Sequence, residues 1–268
     1  AQPVIKNGQG RIMLQRVALY DGTATGVMRV NASTDRFTWQ TELNLEGMRA
    51  RPFLTDLSSF DRIDGRANAK LDLRGRGPSQ RAIVNSLNGT GAFRFTDGAL
   101  IGVNIPQMLR GFQSGNLTNW ETSETKQTDF TALTGTFNID RGIVNNQDLS
   151  MVSPLLTVTG AGTVALPARQ INYLAKPALV ATLEGQGRGS NTSGLTVPVR
   201  VTGDLDNPNV SPDLSAMLQD PGAAAELLGQ VTKQFGGNKQ VEDGLRALRE
   251  SGGGLGGLGG LLQGLGAQ

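Results

Sequence analysis

The chain has 268 residues, with 37 glycines, no cysteine and no histidine. Without these last two residue types the protein has no disulfide, no thiolate nucleophile, no imidazole acid or base and no zinc finger. Charged residues make up 18% of the chain and the net charge is +2, which disfavours binding to a nucleic-acid backbone.

Alternating apolar and polar residues predict β-strands along most of the chain. The alternation is clearest over residues 66–74, 156–166 and 195–202. Within the last of these segments Pro198 lacks an amide hydrogen, so we expect that strand to lie at a sheet edge or to carry a bulge.

Turn signals separate the strand-like segments. They are Asp21-Gly22, Asp97-Gly98 and Arg141-Gly142, and each lies between two such segments. The sequence therefore predicts a topology of antiparallel hairpins.

Helical segments are few and short. Residues 52–59, 78–87 and 106–112 each begin with proline and carry apolar residues at helical spacing, which predicts three connecting helices. Near the C-terminus, one apolar stripe is Ala224, Leu228, Val231 and Phe235 and a second is Val241, Leu245 and Leu248, which predicts two amphipathic helices.

These patterns divide the chain into three parts. We expect a β domain over residues 1–212, a C-terminal helical segment over 213–250 and a flexible tail over 251–268. The tail is rich in glycine and leucine, and glycine at that density opposes regular structure because of its backbone entropy.

Candidate catalytic and metal-binding residues are limited to local carboxylate pairs. The pairs are Asp61 with Asp64, Glu121 with Glu124, and Asp204 with Asp206. All lie in polar turns or loops, so we interpret them as solvated side chains rather than as a glycosidase site. Residues 204–208 begin like a calcium loop, but Pro208 stands where an oxygen ligand is needed. We therefore expect no enzyme activity, no metal site and no cofactor.

The predicted strands share one apolar face, and few helices are available to cover it. Such a sheet either packs against a second sheet, as a sandwich, or curls so that its apolar face lines a trough. Alternation by itself leaves both architectures open.

Several phrases of the sequence resemble the C-terminal region of the AsmA family. They occur in the family's order, from about residue 10 to residue 213: Gly10-Arg11-Ile12, Leu19-Tyr20-Asp21-Gly22 and Gly26; Ile63-Asp64-Gly65-Arg66-Ala67, Leu87-Asn88-Gly89-Thr90-Gly91 and Asp97-Gly98-Ala99-Leu100; Val201-Thr202-Gly203, Asp206-Asn207-Pro208-Asn209-Val210 and Pro212-Asp213. The segment after residue 213 is not part of the shared phrases.

The resemblance implies a Gram-negative envelope protein that is held in the inner membrane by an N-terminal helix and exposes this region to the periplasm. AsmA-like proteins, with relatives such as TamB and YhdP, are understood as elongated β-grooves that carry phospholipid between membranes, and they have no catalytic motif. The implied partners are phospholipid, the membrane and envelope proteins. The sequence begins without a signal peptide or an apolar span of about 20 residues, so we expect the anchor to precede it.

Together, pattern and resemblance predict a mainly β protein with a curved antiparallel sheet that forms a groove or half-barrel, short connecting helices and C-terminal amphipathic helices. The predicted groove-lining residues, which would contact acyl chains or each other, are Ala67, Ala69, Leu71, Leu73, Phe93, Phe95, Phe137, Ile139, Leu156, Val158, Val164, Val197, Val199 and Val201. The alternative is a periplasmic scaffold with a closed β-sandwich core that binds envelope proteins through its loops and terminal helices.

Overall fold

The computed structural model describes residues 2–33, 37–113, 123, 125–179 and 197–219. The strands are β1 (Gln2–Lys6), β2 (Gln9–Leu19), β3 (Gly22–Asn31), β4 (Thr38–Arg49), β5 (Arg66–Arg76), β6 (Asn88–Ile101), β7 (Gln127–Asp140), β8 (Ile143–Val152), β9 (Leu156–Ala165), β10 (Gln170–Leu179), β11 (Val199–Asp204) and β12 (Pro208–Pro212). The helices are α1 (Ala50–Ser58), α2 (Gln80–Asn85), α3 (Ile105–Gln113) and α4 (Leu214–Gln219), with one 3₁₀ turn at Leu166–Ala168.

The described strands form one 12-stranded antiparallel sheet in which every strand pairs with the next strand along the chain. The sheet does not close into a barrel, because β1 and β12 are its two edges. The predicted fold, a mainly β protein with a curved antiparallel sheet and short helices, is confirmed. The alternative sandwich core is wrong for the described part of the chain, since all of its strands belong to one sheet.

Two of the three predicted turns connect neighbouring strands. Tyr20 and Asp21 adopt left-handed conformations between β2 and β3, and Arg141 and Gly142 do so between β7 and β8. The turn predicted at Asp97-Gly98 is wrong, because β6 continues through both residues.

The Asp97-Gly98 pair instead accommodates a neighbouring segment. Asp97 is left-handed, with φ at 48°. A Cβ atom at Gly98 would collide with the main-chain carbonyl of Asp64, because the segment before β5 crosses β6 there. The Asp64 amide donates to the Ala99 carbonyl at 2.9 Å. A glycine after a small polar residue therefore permitted close backbone approach here rather than chain reversal.

The position of the strand around Pro198 also differs from the prediction. β11 begins at Val199, directly after the proline, and lies between β10 and β12 rather than at an edge. Because Pro198 precedes the ladder, its missing amide hydrogen costs no sheet hydrogen bond, and its carbonyl accepts the Asp213 amide at 2.8 Å. Val197 consequently lies outside the strand.

The three predicted connecting helices are confirmed as α1, α2 and α3, with bounds that differ by a few residues at either end. Because the sheet is a meander, its connections alternate between two ends. We call the end that carries α1, α3 and α4 the helical end, and the end that carries α2 and the 3₁₀ turn the far end.

Hydrophobic clusters fill the helical end. One joins Met108 and Leu109 of α3 to Val199 of β11 and Met217 of α4. Two others lie along β3–β5 and along β7–β9. Because α3 follows β6 yet packs on β11, the sheet must curl to bring these strands together. Neighbouring strands are about 4.8 Å apart, so β6 and β11 would lie about 24 Å apart in a flat sheet.

Four register shifts interrupt the ladders. The extra residues lie in three strands, in β2 next to Val17, in β4 next to Met48 and in β8 next to Leu149, and the bulge in β8 shifts its register with both β7 and β9. Such bulges bend a strand and increase its local twist. They account for the curvature that α3 and its partner strands require.

The proposed boundary at residue 212 stays a prediction. α4 begins at Leu214, in agreement with a change from strands to helix near that point. The two predicted amphipathic stripes and the glycine-leucine tail, together with Leu195, lie outside the described residues.

Candidate functional site

One face of the sheet carries an unbroken transverse row of mainly apolar residues. Directly opposed residues of antiparallel strands point to the same side, so the ladder registers define this row. From β2 to β12 its members are Ile12, Met28, Thr41, Leu73, Gly89, Ile139, Val144, Val164, Ile171, Gly203 and Pro208. Its only polar member is Thr41. We call this side of the sheet the apolar face and the other side the polar face.

The predicted groove-lining residues fall on this apolar face. The registers place all thirteen of those within strands on the same side as Leu73. The fourteenth, Val197, precedes β11 and is fully buried in the cluster beside α3. Two-residue alternation thus identified the correct face of every strand to which it was applied.

Burial divides the fourteen residues into two groups. The buried residues are Ala67, Ile139, Leu156, Val158, Val197 and Val199. All of these except Ile139 belong to the helical-end clusters and contact other protein side chains. The half-buried residues are Ala69, Leu71, Leu73, Phe93, Phe95, Phe137, Val164 and Val201. The half-buried group keeps accessible apolar surface on a sheet that no second sheet covers in the described residues.

Aromatic side chains lie across glycines of neighbouring strands on the apolar face. Phe137 is directly opposite Gly91, and Phe93 is directly opposite Gly135. A Cβ atom at Gly91 would be 2.4 Å from Cζ of Phe137, and one at Gly135 would be 2.8 Å from Cζ of Phe93. The two phenylalanine rings stack with centroids 6.4 Å apart.

The same arrangement occurs toward each edge of the sheet. Trp39 covers Gly75 of the adjacent strand, and Tyr173 covers Gly160 and Gly162. Aromatic rings that lie flat over cross-strand glycines protect the backbone without filling the space above it. The apolar face is therefore a shallow, ring-lined surface rather than a tightly filled core.

A polar network interrupts the apolar face where β7 and β8 lose register. The Tyr173 hydroxyl donates to Asn146, and the Asn146 amide donates to the Thr136 carbonyl at 2.6 Å and to Asp148 at 2.7 Å. The Thr136 main-chain amide also donates to the Asp148 carboxylate, at 2.8 Å. Asp148 therefore supplies the acceptor that the broken ladder lacks.

Two groups of this network have shifted pKa values. Burial, reinforced by the charge of Asp148, raises the pKa of Tyr173 to about 12. Hydrogen bonds from the Thr136 amide and hydroxyl lower the pKa of Asp148. The network is thus a neutral tyrosine and an ionised aspartate at neutral pH. It has the character of structural hydrogen bonding, since it contains neither a nucleophile with a lowered pKa nor a general base.

A small cavity of about 190 Å³ lies on the apolar face between α3 and β10–β12. Aliphatic side chains from α3, β10, β11 and β12 line it, with Arg62 at one side. The Arg62 guanidinium donates to the Asp206 carbonyl at 3.0 Å and so links the segment before β5 to the turn between β11 and β12.

Asp213 fixes α4 at the helical end. Its carboxylate accepts from the Ala216 amide at 3.0 Å, from the Ser215 hydroxyl at 2.6 Å and from Nε of Arg200 at 2.7 Å. Burial opposes ionisation of Asp213, but these hydrogen bonds and the charge of Arg200 outweigh it and lower the pKa. The residue is therefore a charged N-cap that orients α4.

The described members of the carboxylate pairs are not brought together as an acid and base. Asp61 lies 3.6 Å from Arg51, and Asp64 accepts the Gly65 amide. Asp206 pairs with Arg169 at 2.5 Å, and Asp204 accepts the Asp206 amide. Glu121 and Glu124 lie outside the described residues. Across the described ranges there is no group of three or more potential metal-ligating side chains.

Sequence reasoning missed about half of the apolar face. It did not include the contributions of β2, β3, β4, β8, β10 and β12, among them Ile12, Met28, Leu43, Val144 and Ile171. Bulges in β2, β4 and β8 shift the two-residue alternation partway along those strands, which hides the pattern. The glycines opposite the aromatics were a usable signal, because each occupies an apolar phase of its strand.

No helix among the described residues is long and apolar enough to cross a membrane. No solved structure gives a significant match to the chain. Among curated proteins, the chain is similar to the AsmA family protein YhjG of Escherichia coli (strain K12). The two are 18% identical over 229 residues, which cover 85% of this chain and 32% of YhjG.

The chain thus spans about a third of the length of this curated relative. A family model described as "AsmA family" matches residues 4–149, which include β2 to β7 and most of β1 and β8. That match covers more than half of the chain and agrees with the phrases that the sequence shares with the family. The chain belongs to the AsmA family.

Proposed function

We propose that the apolar face shields phospholipid acyl chains from water while lipid moves between the inner and outer membranes of a Gram-negative envelope. The observation that carries this proposal is the unbroken apolar row from Ile12 to Pro208. Its ten strand-to-strand steps of about 4.8 Å give a path of about 48 Å. The proposal is non-enzymatic and needs no cofactor.

The energetics favour a continuous surface over a single pocket. Each methylene exposed to water costs about 0.8 kcal/mol, so a diacyl lipid in water faces a barrier on the order of 20 kcal/mol or more. Many half-buried aliphatic and aromatic side chains in register can remove most of that cost at every position along the path. No individual residue has to bind tightly, and tight local binding would slow the movement of lipid.

The shallow surface above the aromatic-glycine pairs supports the same proposal. Phe93 and Phe137 are half-buried, and flat rings offer broad apolar contact to a chain lying above them. The helical end provides a boundary, because its clusters are closed by protein side chains. The cavity between α3 and β10–β12 adds apolar space beside that boundary.

The location and partners belong to the proposal as well. AsmA family membership supports an envelope role, and in our proposal this region acts in the periplasm of a protein anchored in the inner membrane. Phospholipid is the cargo, and envelope proteins at either membrane are candidate partners.

Site-specific photocrosslinking tests the proposal. Benzoylphenylalanine at Phe137 is close in shape to the native ring, and the same group at Asn138 points from the adjacent position toward the polar face. Leu71 and Lys70 form a second matched pair on β5. The protein is irradiated after mixing with vesicles that contain a labelled phospholipid, and labelled protein is quantified.

We expect phospholipid adducts at positions 137 and 71 and background labelling at 138 and 70. Equal labelling of the two faces, or adducts with protein only, would contradict the proposal.

A second measurement is Leu71→Asp in a lipid-transfer assay. Leu71 packs against the cluster along β3–β5, so the urea midpoint of the variant is measured alongside, with Leu71→Ala as a milder second variant. We expect both variants, where folded, to transfer lipid more slowly than the unaltered protein, and an unchanged rate in a folded variant would contradict the proposal.

A further inference from the structure

The polar face carries a concentration of cations at the far end of β1–β5. One transverse row places Val4, Arg11, Arg29, Gln40, Arg74 and Asn88 directly opposite one another. A second row places Lys6, Gln9, Asn31, Thr38 and Arg76 in the same relation. Both rows lie on the side of the sheet opposite the lipid-shielding face.

A concavity of about 1060 Å³ covers both rows. Six cationic side chains line it, and no Asp or Glu is among the lining residues: Lys6, Arg11, Arg29, Arg74, Arg76 and Arg141. We call this concavity the cationic basin.

Most of these cations have no acidic partner within the described residues. Arg29 pairs with Glu42 at 2.6 Å, and Arg141 lies 3.4 Å from Asp140. In the same described part, the side chains of Lys6, Arg11, Arg74 and Arg76 make no ion pair or hydrogen bond, and all four are exposed. The charge of the basin is therefore largely uncompensated by the protein.

This arrangement is unfavourable in the absence of a ligand. Arg11 and Arg29 are directly opposed, and like charges at directly opposed positions destabilise a sheet. The neighbouring concavity along the polar face has no excess of positive charge, because its charged lining residues are Glu42, Lys70 and Asp72. Excess positive charge is thus a local property of the basin and not of the whole polar face.

We propose that the cationic basin binds a ligand that carries more than one phosphate group. Arginine guanidinium groups form paired hydrogen bonds with phosphate oxygens, which matches the chemistry of the basin. Arg11 and Arg74 are three strands apart, about 14 Å, so one phosphate does not neutralise both ends. The ligand is either a phosphorylated lipid headgroup or a soluble polyphosphate. This inference concerns the opposite face from the lipid path and does not depend on it.

The test uses the full chain with two probes. One arm titrates tripolyphosphate by calorimetry, and the other measures flotation with vesicles of cardiolipin, whose headgroup carries two phosphates, against phosphatidylglycerol vesicles of equal surface charge. The basin variant is Arg11→Gln with Arg74→Gln. The matched control is Lys70→Gln with Arg94→Gln, which removes two charges from the same face outside the basin, since Arg94 is exposed on β6.

We expect the unaltered protein and the control variant to bind at least one probe. The basin variant should bind that probe at least about 10-fold more weakly, because it loses the charge-assisted hydrogen bonds of two arginines. Binding to vesicles without tripolyphosphate binding assigns a lipid headgroup, and the reverse assigns a soluble polyphosphate. Absence of binding to both probes overturns the proposal. An equal loss in the control variant also overturns it, because net charge would then explain the result.

Thermal unfolding gives a readout independent of the ligand. Arg11→Gln relieves the repulsion with Arg29, so the variant should unfold about 1 to 2 °C higher than the unaltered protein. Arg94→Gln, which has no directly opposed cation, should leave the unfolding temperature unchanged. A lower unfolding temperature for Arg11→Gln would contradict the claim that the empty basin is destabilising.

Discussion

Asp213→Ala should destabilise the protein by releasing α4 from the helical end. The substitution removes an N-cap, which is worth about 1 kcal/mol. It also removes the acceptor for Arg200, and the Arg200 side chain is 43% exposed, so water partly replaces the lost partner. We assign about 1 kcal/mol to that second loss, below the cost of breaking a fully buried pair.

The expected total is about 2 kcal/mol at neutral pH. With a urea m-value of about 3 kcal/mol/M for a protein of this size, the unfolding midpoint should fall by about 0.7 M. Far-ultraviolet circular dichroism during urea titration measures the midpoint. Asp213→Asn keeps the cap but loses the charge, so its shift should be about half as large.

The pH dependence follows from the lowered pKa of Asp213. The carboxylate is ionised in both folded and unfolded chains at neutral pH, so its full contribution is present there. As the pH falls below the ordinary value of 3.8, the unfolded chain takes up a proton first, and the contribution is lost as the pH passes through the lower folded-state pKa. The difference between the unaltered protein and Asp213→Ala should therefore shrink in acid.

Asp140→Ala is the matched control, because Asp140 is exposed and pairs with an exposed arginine. Exposed ion pairs contribute little to stability, so Asp140→Ala should change the free energy of unfolding by less than about 0.5 kcal/mol. If Asp213→Ala behaves like Asp140→Ala, the carboxylate does not hold α4 and the argument from its hydrogen bonds is wrong.

Three further predictions concern the apolar face and its bulge. Gly91→Val should displace the Phe137 ring, whose Cζ lies 2.4 Å from a Cβ at that position, and cost about 1 to 3 kcal/mol in thermal unfolding. In an alkaline absorbance titration, Tyr173→Phe should remove a phenol that ionises near pH 12. Because the pKa of Tyr173 is higher in the folded chain than in the unfolded chain, the stability that the tyrosine confers is present below about pH 10 and is lost as the pH rises toward 12. Asp148→Ala should leave the Thr136 amide without an acceptor and lower the free energy of unfolding by about 1 to 2 kcal/mol, whereas an unchanged urea midpoint would mean that water replaces the carboxylate.

The family was recognised from short phrases of sequence in a fixed order, and residues in two of these phrases have identifiable structural roles. Asp213 at the end of the last phrase is the N-cap of α4. Gly98 permits the segment at Asp64 to cross β6, so the phrases around Ile63 and Asp97 meet in space. These residues were recognisable in the sequence, but their contacts were not, since each depends on a partner more than 30 residues away or on a helix that tertiary packing stabilises.

Local alternation determined the strands, the faces of the strands it covered and the hairpin order, because side chains alternate with a period of two whatever the rest of the chain does. It could not determine whether the apolar faces meet a second sheet or bend around their own concavity. That outcome depended on the bulges in β2, β4 and β8, and on α3 reaching β11. The cationic basin likewise exists only in the folded sheet, because register places Arg11 and Arg74, which are 63 residues apart in the chain, in one transverse row.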